Sequence, residues 1–444
     1  MSELEKQQQE GRFELTEVKT VVLVGIFPSG KDQKECLDSL EELSALSTTY
    51  GFTVQEKVAC PIKKLNAATY IGKGKVEEIA NLMASENIDA VIFDEEISPN
   101  QQKNIEMIVS KPVLDRTELI LEVFAQRAKT KEACLQIELA KIRYQMPRLK
   151  RLWTHLSREK TAGGTASGTM RGAGEKQIEV DRRILKQRLS ALEKEIKVVR
   201  KQRSIQRQSR LRRSTPTFGI VGYTNAGKST LLNALTQAEV LVEDKLFATL
   251  DTTSRKYTLP NHQNIVLVDT VGFIKKLPHT LVAAFKSTLE ESTHTDILLH
   301  VIDVSHPNVL QHAEVTKAVL EELGAGKKPM LTILNKIDVC KNQEVLDQLR
   351  LMYPKTVRVS ALNKMGFDDL FHLMMEEISN LRKVVKLRIP QSHYALASEL
   401  MREGNVLFSD YDENDILMEI EIASNLEHKV RPFYDSNQDE ESLL

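Results

Sequence analysis

An apolar segment, Thr217 to Val221, runs into Gly222-Tyr-Thr-Asn-Ala-Gly227-Lys228-Ser229-Thr230, and the apolar positions that follow, Leu231, Leu232 and Leu235, have helical spacing. A strand, a glycine-bounded loop and a helix in that order have few ways to fold. The glycines let the backbone curl until consecutive N–H groups converge at the start of the helix, where an anion is favoured. Lys228 adds a positive charge for β- and γ-phosphate oxygens, and the Ser229 hydroxyl offers one ligand position for Mg²⁺. The segment predicts a nucleoside triphosphate site in an α/β sheet. Its expected contacts are Gly222, Tyr223, Thr224, Asn225, Ala226, Gly227, Lys228, Ser229 and Thr230.

The loop alone does not select the base. Asn335-Lys336-Ile337-Asp338 does, because it directly follows the apolar strand Pro329 to Leu334. A carboxylate at Asp338 can accept two hydrogen bonds, from N1–H and the exocyclic amine of guanine, and adenine has no such donor pair on that edge. Lys336 is expected along the base, with Asn335 tying this loop to the phosphate loop. Ser360-Ala361-Leu362, after the strand Val357 to Val359, is the expected last base loop, with the Ala361 N–H aimed at guanine O6. Two γ-phosphate sensors lie between. Asp269-Thr270-Val271-Gly272 ends the strand Ile265 to Val268; Asp269 can hold a Mg²⁺-bound water, and the Gly272 N–H can meet the γ-phosphate. Phe247-Ala248-Thr249-Leu250-Asp251 supplies Thr249 as a second metal ligand beside Ser229, with Thr252 and Thr253 as alternatives. Lys228, Thr249 and Gly272 are the catalytic candidates. Losing these contacts on hydrolysis would release both segments.

The remainder of the chain has to carry other work, since 444 residues are enough for about three domains. Residues 1–19 read as a frayed polar tail. Residues 20–114 alternate strand and helix signals: Val21 to Val24, then Cys36 to Tyr50, Phe52 to Val58, Lys75 to Met83, Ile88 to Phe93, Pro99 to Ile108 and Pro112 to Leu114. That order predicts a small, mostly parallel α/β domain. At Asp115, with Glu118 three residues on, a capping signature opens a four-three stripe through Tyr144, predicting one long helix that ends near Pro147. A second stripe, Leu185, Leu189, Leu192, Ile196 and Val199, predicts its antiparallel partner across residues 115–213.

The expected hairpin tip, residues 161–174, holds five glycines, flanked by Arg148, Lys150, Arg151, Arg158, Lys160 and Arg171. It reads either as a linker or as a polyanion-binding loop, and the basic flanks favour the second. Residues 214–383 hold the nucleotide motifs, 384–434 a small α+β unit and 435–444 an acidic tail. The 61 basic and 62 acidic residues nearly cancel, yet thirteen basic residues crowd Arg182 to Arg213 against only Glu193 and Glu195. That asymmetry marks a local polyanion-binding surface, with Arg182 and Arg183 as further RNA-contact candidates. No apolar run approaches the roughly 18 residues that cross a bilayer. The N-terminus has no apolar signal region, and the four cysteines lack zinc spacing. A cytoplasmic monomer is expected, without membrane insertion. Peripheral membrane association through the basic helix is a minor reading, because its apolar stripe has no Trp or Phe anchors.

The four nucleotide motifs stand in the order of a Ras-like GTPase, and the chain resembles the translation-factor branch of the P-loop GTPases. Phe273 occupies the position after Gly272 where Ras-type enzymes carry a water-orienting Gln. Slow intrinsic hydrolysis, accelerated by a partner, follows. Asn225 is similar to the loop residue of GTPases that use K⁺ beside the phosphates, making K⁺ a second candidate cation. Upstream, Tyr70-Ile-Gly-Lys-Gly-Lys75, Asp94-Glu-Glu-Ile-Ser-Pro-Asn-Gln-Gln102, Asp115-Arg-Thr-Glu-Leu-Ile-Leu121, Phe124-Ala-Gln-Arg-Ala128 and Gly172-Ala-Gly-Glu-Lys-Gln-Ile-Glu-Val-Asp-Arg-Arg183 resemble the HflX family.

That resemblance implies a Mg²⁺-dependent GTPase that binds GTP and GDP. It further implies docking on the 50S subunit and its rRNA, with a tip, here residues 161–174, reaching towards the peptidyl-transferase region to split stalled ribosomes under stress. Ala173 and Lys176 depart from the family's usual Pro and Thr. Some members also bind ATP through the N-terminal region, but Gly72-Lys-Gly74 lacks full phosphate-loop spacing and reads more readily as a helix entrance. The competing reading is an rRNA-binding assembly or scaffold protein whose fold GTP merely stabilises.

Overall fold

The computed structural model describes residues 18–28, 33–149, 170–211, 215–236, 246–247, 253–276, 294–340, 342–403, 405–412, 414–423 and 427–435, with only the backbone at both ends of the long helix. The chain divides into two compact units. The first draws its described residues from Met1–Val199, Leu241–Asp251 and Val271–Leu289, and the second from Arg200–Val240, Thr252–Thr270 and Glu290–Leu444.

The first unit is built on a four-stranded parallel sheet. Its elements are β1 (Thr20–Pro28), α1 (Gln33–Tyr50), β2 (Thr53–Ile62), α2 (Lys73–Ser85), β3 (Ala90–Phe93), α3 (Pro99–Val109) and β4 (Val113–Asp115), with strand order β2-β1-β3-β4. Side chains alternate across a strand, so Val22 and Val24 of β1 pack with Val76, Ile79 and Met83 of α2 and with Ile105 of α3. The intervening Val21 and Leu23 are equally buried, which is why β1 reads as a continuous apolar run. α1 covers β1 and β2 and packs on α4 (Arg116–Arg127).

The single helix expected from Asp115 to Pro147 is broken. Ala128 is extended at φ −65°, ψ 123°, and the Thr130 hydroxyl accepts the Ala133 N–H at 3.2 Å to start α5 (Lys131–Gln145). Thr130 lies on the four-three stripe that suggested continuity, but its hydroxyl gains more as a cap than as a core residue. The capping signature at the start holds: Asp115 accepts the Glu118 N–H at 2.9 Å.

α5 shares a core with α6 (Met170–Leu211) through Leu135, Leu139, Ile142, Leu185, Leu192 and Ile196, flanked by Glu138–Arg188 at 2.6 Å and Arg143–Glu193 at 2.8 Å. α6 is already helical at Met170, so Gly172 and Gly174, expected in a flexible tip, lie within it. The rest of that tip lies outside the described residues, as do the two terminal tails proper.

The second unit contains a six-stranded sheet of β5 (Thr217–Gly222), β6 (Thr253–Thr258), β7 (Asn264–Asp269), β8 (Ile297–Asp303), β9 (Met330–Asn335) and β10 (Thr356–Arg358), ordered β10-β9-β8-β5-β7-β6. Only β6, at one edge, runs antiparallel to its neighbour. α7 (Lys228–Thr236) and α10 (Phe367–Leu381) bury Leu231, Leu232, Leu235, Leu370, Met374 and Ile378 against Phe218, Ile220 and Leu299. α8 (Val309–Glu322) and α9 (Gln343–Met352) pack Val309, Ala313, Leu346 and Leu349 with Ile302, Val304 and Leu334.

α10 ends where β11 (Arg382–Pro390) begins. With α11 (Tyr394–Glu403), β12 (Asn405–Asp412) and β13 (Asp415–Ala423), it forms the small α+β layer read from the C-terminal pattern, in strand order β11-β13-β12. Among the described residues no helix is long and apolar enough to cross a membrane.

Candidate nucleotide site

In an open parallel sheet the crevice for ligands opens at the carboxyl ends of the strands, where the winding direction reverses. Here that point lies beside β5, since the chain continues to β6 and β7 on one side and to β8, β9 and β10 on the other. The motif residues of the second unit stand at those carboxyl ends: Gly222 ends β5, Asp269 ends β7, Asn335 ends β9 and Ser360 follows β10, while Asp303, outside the motifs, ends β8.

Two glycines are fixed by geometry. Gly222 has φ +154°, and a Cβ there would stand 2.3 Å from the Val301 carbonyl oxygen. Gly227 has φ +91°, and its Cβ would meet Asn335 Nδ2 at 2.2 Å. Asn225 between them is exposed and left-handed at φ 60°, a conformation Asn tolerates better than most residues.

Lys228 is buried, and its Nζ donates to the carbonyls of Tyr223 at 2.7 Å and Gly222 at 3.2 Å. Burial pushes its ammonium down to about 8, with Asp269 pulling the other way. Ser229 Oγ donates to Asp269 Oδ2 at 2.9 Å, which brings together the hydroxyl and carboxylate expected around the metal. Both are hard oxygen donors, the set a Mg²⁺ ion takes. The Thr270 hydroxyl donates to the Ile220 carbonyl at 2.7 Å and so fastens β7 to β5.

Asn335 ties the loops together as its position suggests. Its Nδ2 donates to the Ala226 carbonyl at 2.8 Å, and its Oδ1 accepts the Ala361 N–H at 3.0 Å. The Ala361 N–H expected at guanine O6 is therefore engaged by the tie itself. Lys336, left-handed at φ 64°, pairs with Asp303 at 2.7 Å, a partner that the tetrapeptide alone does not reveal. Asp338 is exposed, Ser360 is buried and accepts the Asn363 N–H at 3.2 Å, and Leu362 is exposed.

Of the sensor residues, Asp269 and Thr270 belong to the second unit, and Val271, Gly272 and the segment around Phe247 to the first. Phe273, where a Gln would orient water, is 1% exposed. Phe247 is not placed as a nucleotide contact: its ring is buried edge-on against Phe124 at 4.5 Å, and the preceding Leu246 N–H donates to Thr49 Oγ1 at 3.2 Å. An aromatic ring gains more from that apolar contact than beside charged phosphates. Ala248, Thr249, Leu250 and Asp251 lie outside the described residues, as does the alternative ligand Thr252, while Thr253 is the first residue of β6.

Among the RNA-contact candidates Arg148 is a correction. It is 5% exposed, donates to the Ile97 carbonyl at 2.8 Å, Asp115 Oδ2 at 3.3 Å and Gln102 Oε1 at 3.3 Å, and lies 3.6 Å over the Tyr144 ring. A guanidinium satisfied in this way has no face left for a phosphate. Arg182 and Arg183 are exposed on α6, only the backbone of Arg171 is described, and Lys150, Arg151 and Arg158 lie outside the described residues.

Comparison with known proteins bears on the whole chain. Residues 37–125 match the family described as GTP-binding GTPase N-terminal, 127–210 the GTP-binding GTPase middle region, and 217–336 the 50S ribosome-binding GTPase family. A GTPase HflX of Chlamydia pneumoniae is 46% identical over 411 residues, covering 92% of this chain and 87% of its own. The chain belongs to the HflX family of GTPases. A second member, from Caldanaerobacter subterraneus, is 42% identical, with 93% of each chain covered. Among solved structures, a GTP-binding protein from Sulfolobus solfataricus in complex with GDP matches 82% of this chain and 100% of its own at 28% identity, with a TM-score of 0.44. As an HflX GTPase the protein binds guanine nucleotides and hydrolyses GTP.

Proposed function

We propose that the GTP-bound form of this HflX GTPase docks on the large ribosomal subunit, separates stalled ribosomes into subunits under stress, and leaves when GTP is hydrolysed. The observation that carries the RNA-facing part is α6, whose stripe of Leu185, Leu192 and Ile196 is buried while Arg182, Arg183, Lys186, Lys194, Lys197 and Lys201 are exposed. An apolar seam on one side and cations on the other suit a helix that packs inward and meets phosphate outward. The middle segment of the relatives aligns over this same helix.

In this reading Lys228 and the loop N–H groups hold the β- and γ-phosphates, and Asp338 accepts the guanine edge. Ala226, Asn335, Lys336, Ile337, Ser360 and Ala361 shape the pocket, while Thr270, Val271 and Gly272 report the γ-phosphate. Ser229, Asp269 and Thr249 would hold Mg²⁺, which when bound neutralises charge developing on the transferred phosphoryl group. Asn225 is the candidate residue for K⁺. The buried phenyl of Phe273 cannot orient water, so the unaided rate is slow and the subunit accelerates it. The work takes place in the cytoplasm.

GTP turnover measured alone and with isolated 50S or 30S subunits tests this reading. Acceleration by 50S only is expected, together with subunit binding that weakens steeply with salt as released counterions are replaced. Turnover indifferent to both subunits, or binding that persists unchanged in Lys228→Ala without nucleotide, refutes it.

A further inference from the structure

We propose that His312 is a positioning residue for nucleotide binding: its imidazole lies flat on Tyr223 and holds the turn of the phosphate loop that aims Lys228. The proposal rests on guanine-nucleotide binding at this loop and adds a residue that none of the sequence motifs contains. The two ring centroids are 3.7 Å apart and the planes are inclined by only 4°. Tyr223 is 6% exposed, so its ring has little freedom to move.

His312 is itself well anchored. It sits in the first turn of α8, where its N–H donates to the Asn308 carbonyl at 3.0 Å, and the adjoining Val309 and Ala313 are buried in the core behind β8 and β9. A second ring, His306, stands 4.3 Å from His312, and its Nδ1 accepts the Asn308 N–H at 3.1 Å.

The consequence reaches the phosphates through the main chain. The Tyr223 carbonyl accepts Lys228 Nζ at 2.7 Å and the Ala226 N–H at 3.3 Å. An ammonium carries three donors. With two of them spent on Tyr223 and Gly222, the direction of the third is set by where those carbonyls stand. Tilting Tyr223 would swing the lysine. The phosphate-loop spacing requires no aromatic at position 223 and no histidine at 312, so the stack is an addition made by α8.

The test uses the full chain with Mg²⁺, fluorescent GDP and GTP titrations, and steady-state turnover. His312→Ala is expected to raise the dissociation constants of both nucleotides about two- to tenfold, the range an aromatic pair supplies. KM should follow while kcat moves less than about twofold, because a lysine used alike in ground and transition states contributes uniform binding. His312→Phe, which keeps a flat ring, should restore both constants. Tyr223→Leu should resemble His312→Ala, and the double variant should fall well short of the product of the two.

Unchanged nucleotide constants with a lowered Tm would make the stack a packing contact only and overturn the proposal. So would a loss confined to kcat, a His312→Phe variant as weak as alanine, or independent effects in the double variant. If His312→Ala does not fold, His312→Gln, polar and of similar bulk but without a ring, carries the same comparison.

Discussion

Lys228 shows how burial sets chemistry at a single residue. Its ammonium, ordinarily near 10.5, is pushed down to about 8 because burial removes water from it, with Asp269 pulling the other way. The sign follows from proton counts. Between about 8 and 10.5 the native chain binds fewer protons than the unfolded one, so this group's contribution to stability grows as pH rises through that window and is lost as pH falls to 8. A bound triphosphate reverses the balance by favouring the charged form. At pH 8.5, calorimetry in two buffers of different ionisation enthalpy should therefore show proton uptake on GTP binding, and Lys228→Met should abolish it. Zero uptake in the unsubstituted protein would mean the lysine is already fully charged before the nucleotide binds. Lys228, Ser229, Asp269 and Asn335 were legible in the sequence because their chemistry demands particular residue types at short, fixed spacings. Asp303 beside Lys336 and His312 over Tyr223 were not, since each is an ordinary residue whose partner is chosen by how the strand ends and α8 are placed.

At the scale of elements, α4 and α5 separate two kinds of information. Helical periodicity marked both, but the break at Ala128 depended on one hydroxyl preferring a cap to a place in the stripe. The network under them is tertiary: Asp115 caps α4, accepts the Ile97 N–H at 3.3 Å and accepts Arg148 Nη2 at 3.3 Å. Asp115→Ala would remove the cap and the buried carboxylate that faces the Arg148 guanidinium, leaving it the partly exposed Glu96 at 3.7 Å. It should destabilise the first unit by about 3–5 kcal/mol, the cost of breaking a buried pair from one side, and chemical denaturation should show the earlier midpoint. Asp115→Asn keeps an acceptor for the Ile97 and Glu118 N–H groups and should lose less. Equal losses would place the effect in the lost charge and not in the cap and its hydrogen bonds.

For the whole molecule, the chain after Gly272 ends its described stretch at Lys276, which pairs with the 2% exposed Asp94 and with Glu95 at 2.6 Å. Asp94 also holds Ser39 Oγ at 2.7 Å and Arg116 Nη1 at 2.8 Å, and Arg116 reaches Glu42, so β3, α1 and α4 meet the sensor segment through one buried carboxylate. Exchanging GDP for a non-hydrolysable GTP analogue should change amide hydrogen exchange around residues 91–97, and Lys276→Ala should remove that response while the nucleotide still binds. An identical response in the variant would show that the signal travels elsewhere. The sequence by itself determined which residue types gather around the phosphate loop and the parallel α/β build of residues 20–114, because local spacing and strand–helix alternation leave little choice. Only the tertiary structure decided what each cation does. Arg148 and Arg182 are the same side chain in similar basic company, yet one is locked against Ile97 and Asp115 and the other faces outward. Desolvation and partner geometry separate them, and both come from residues far away along the chain.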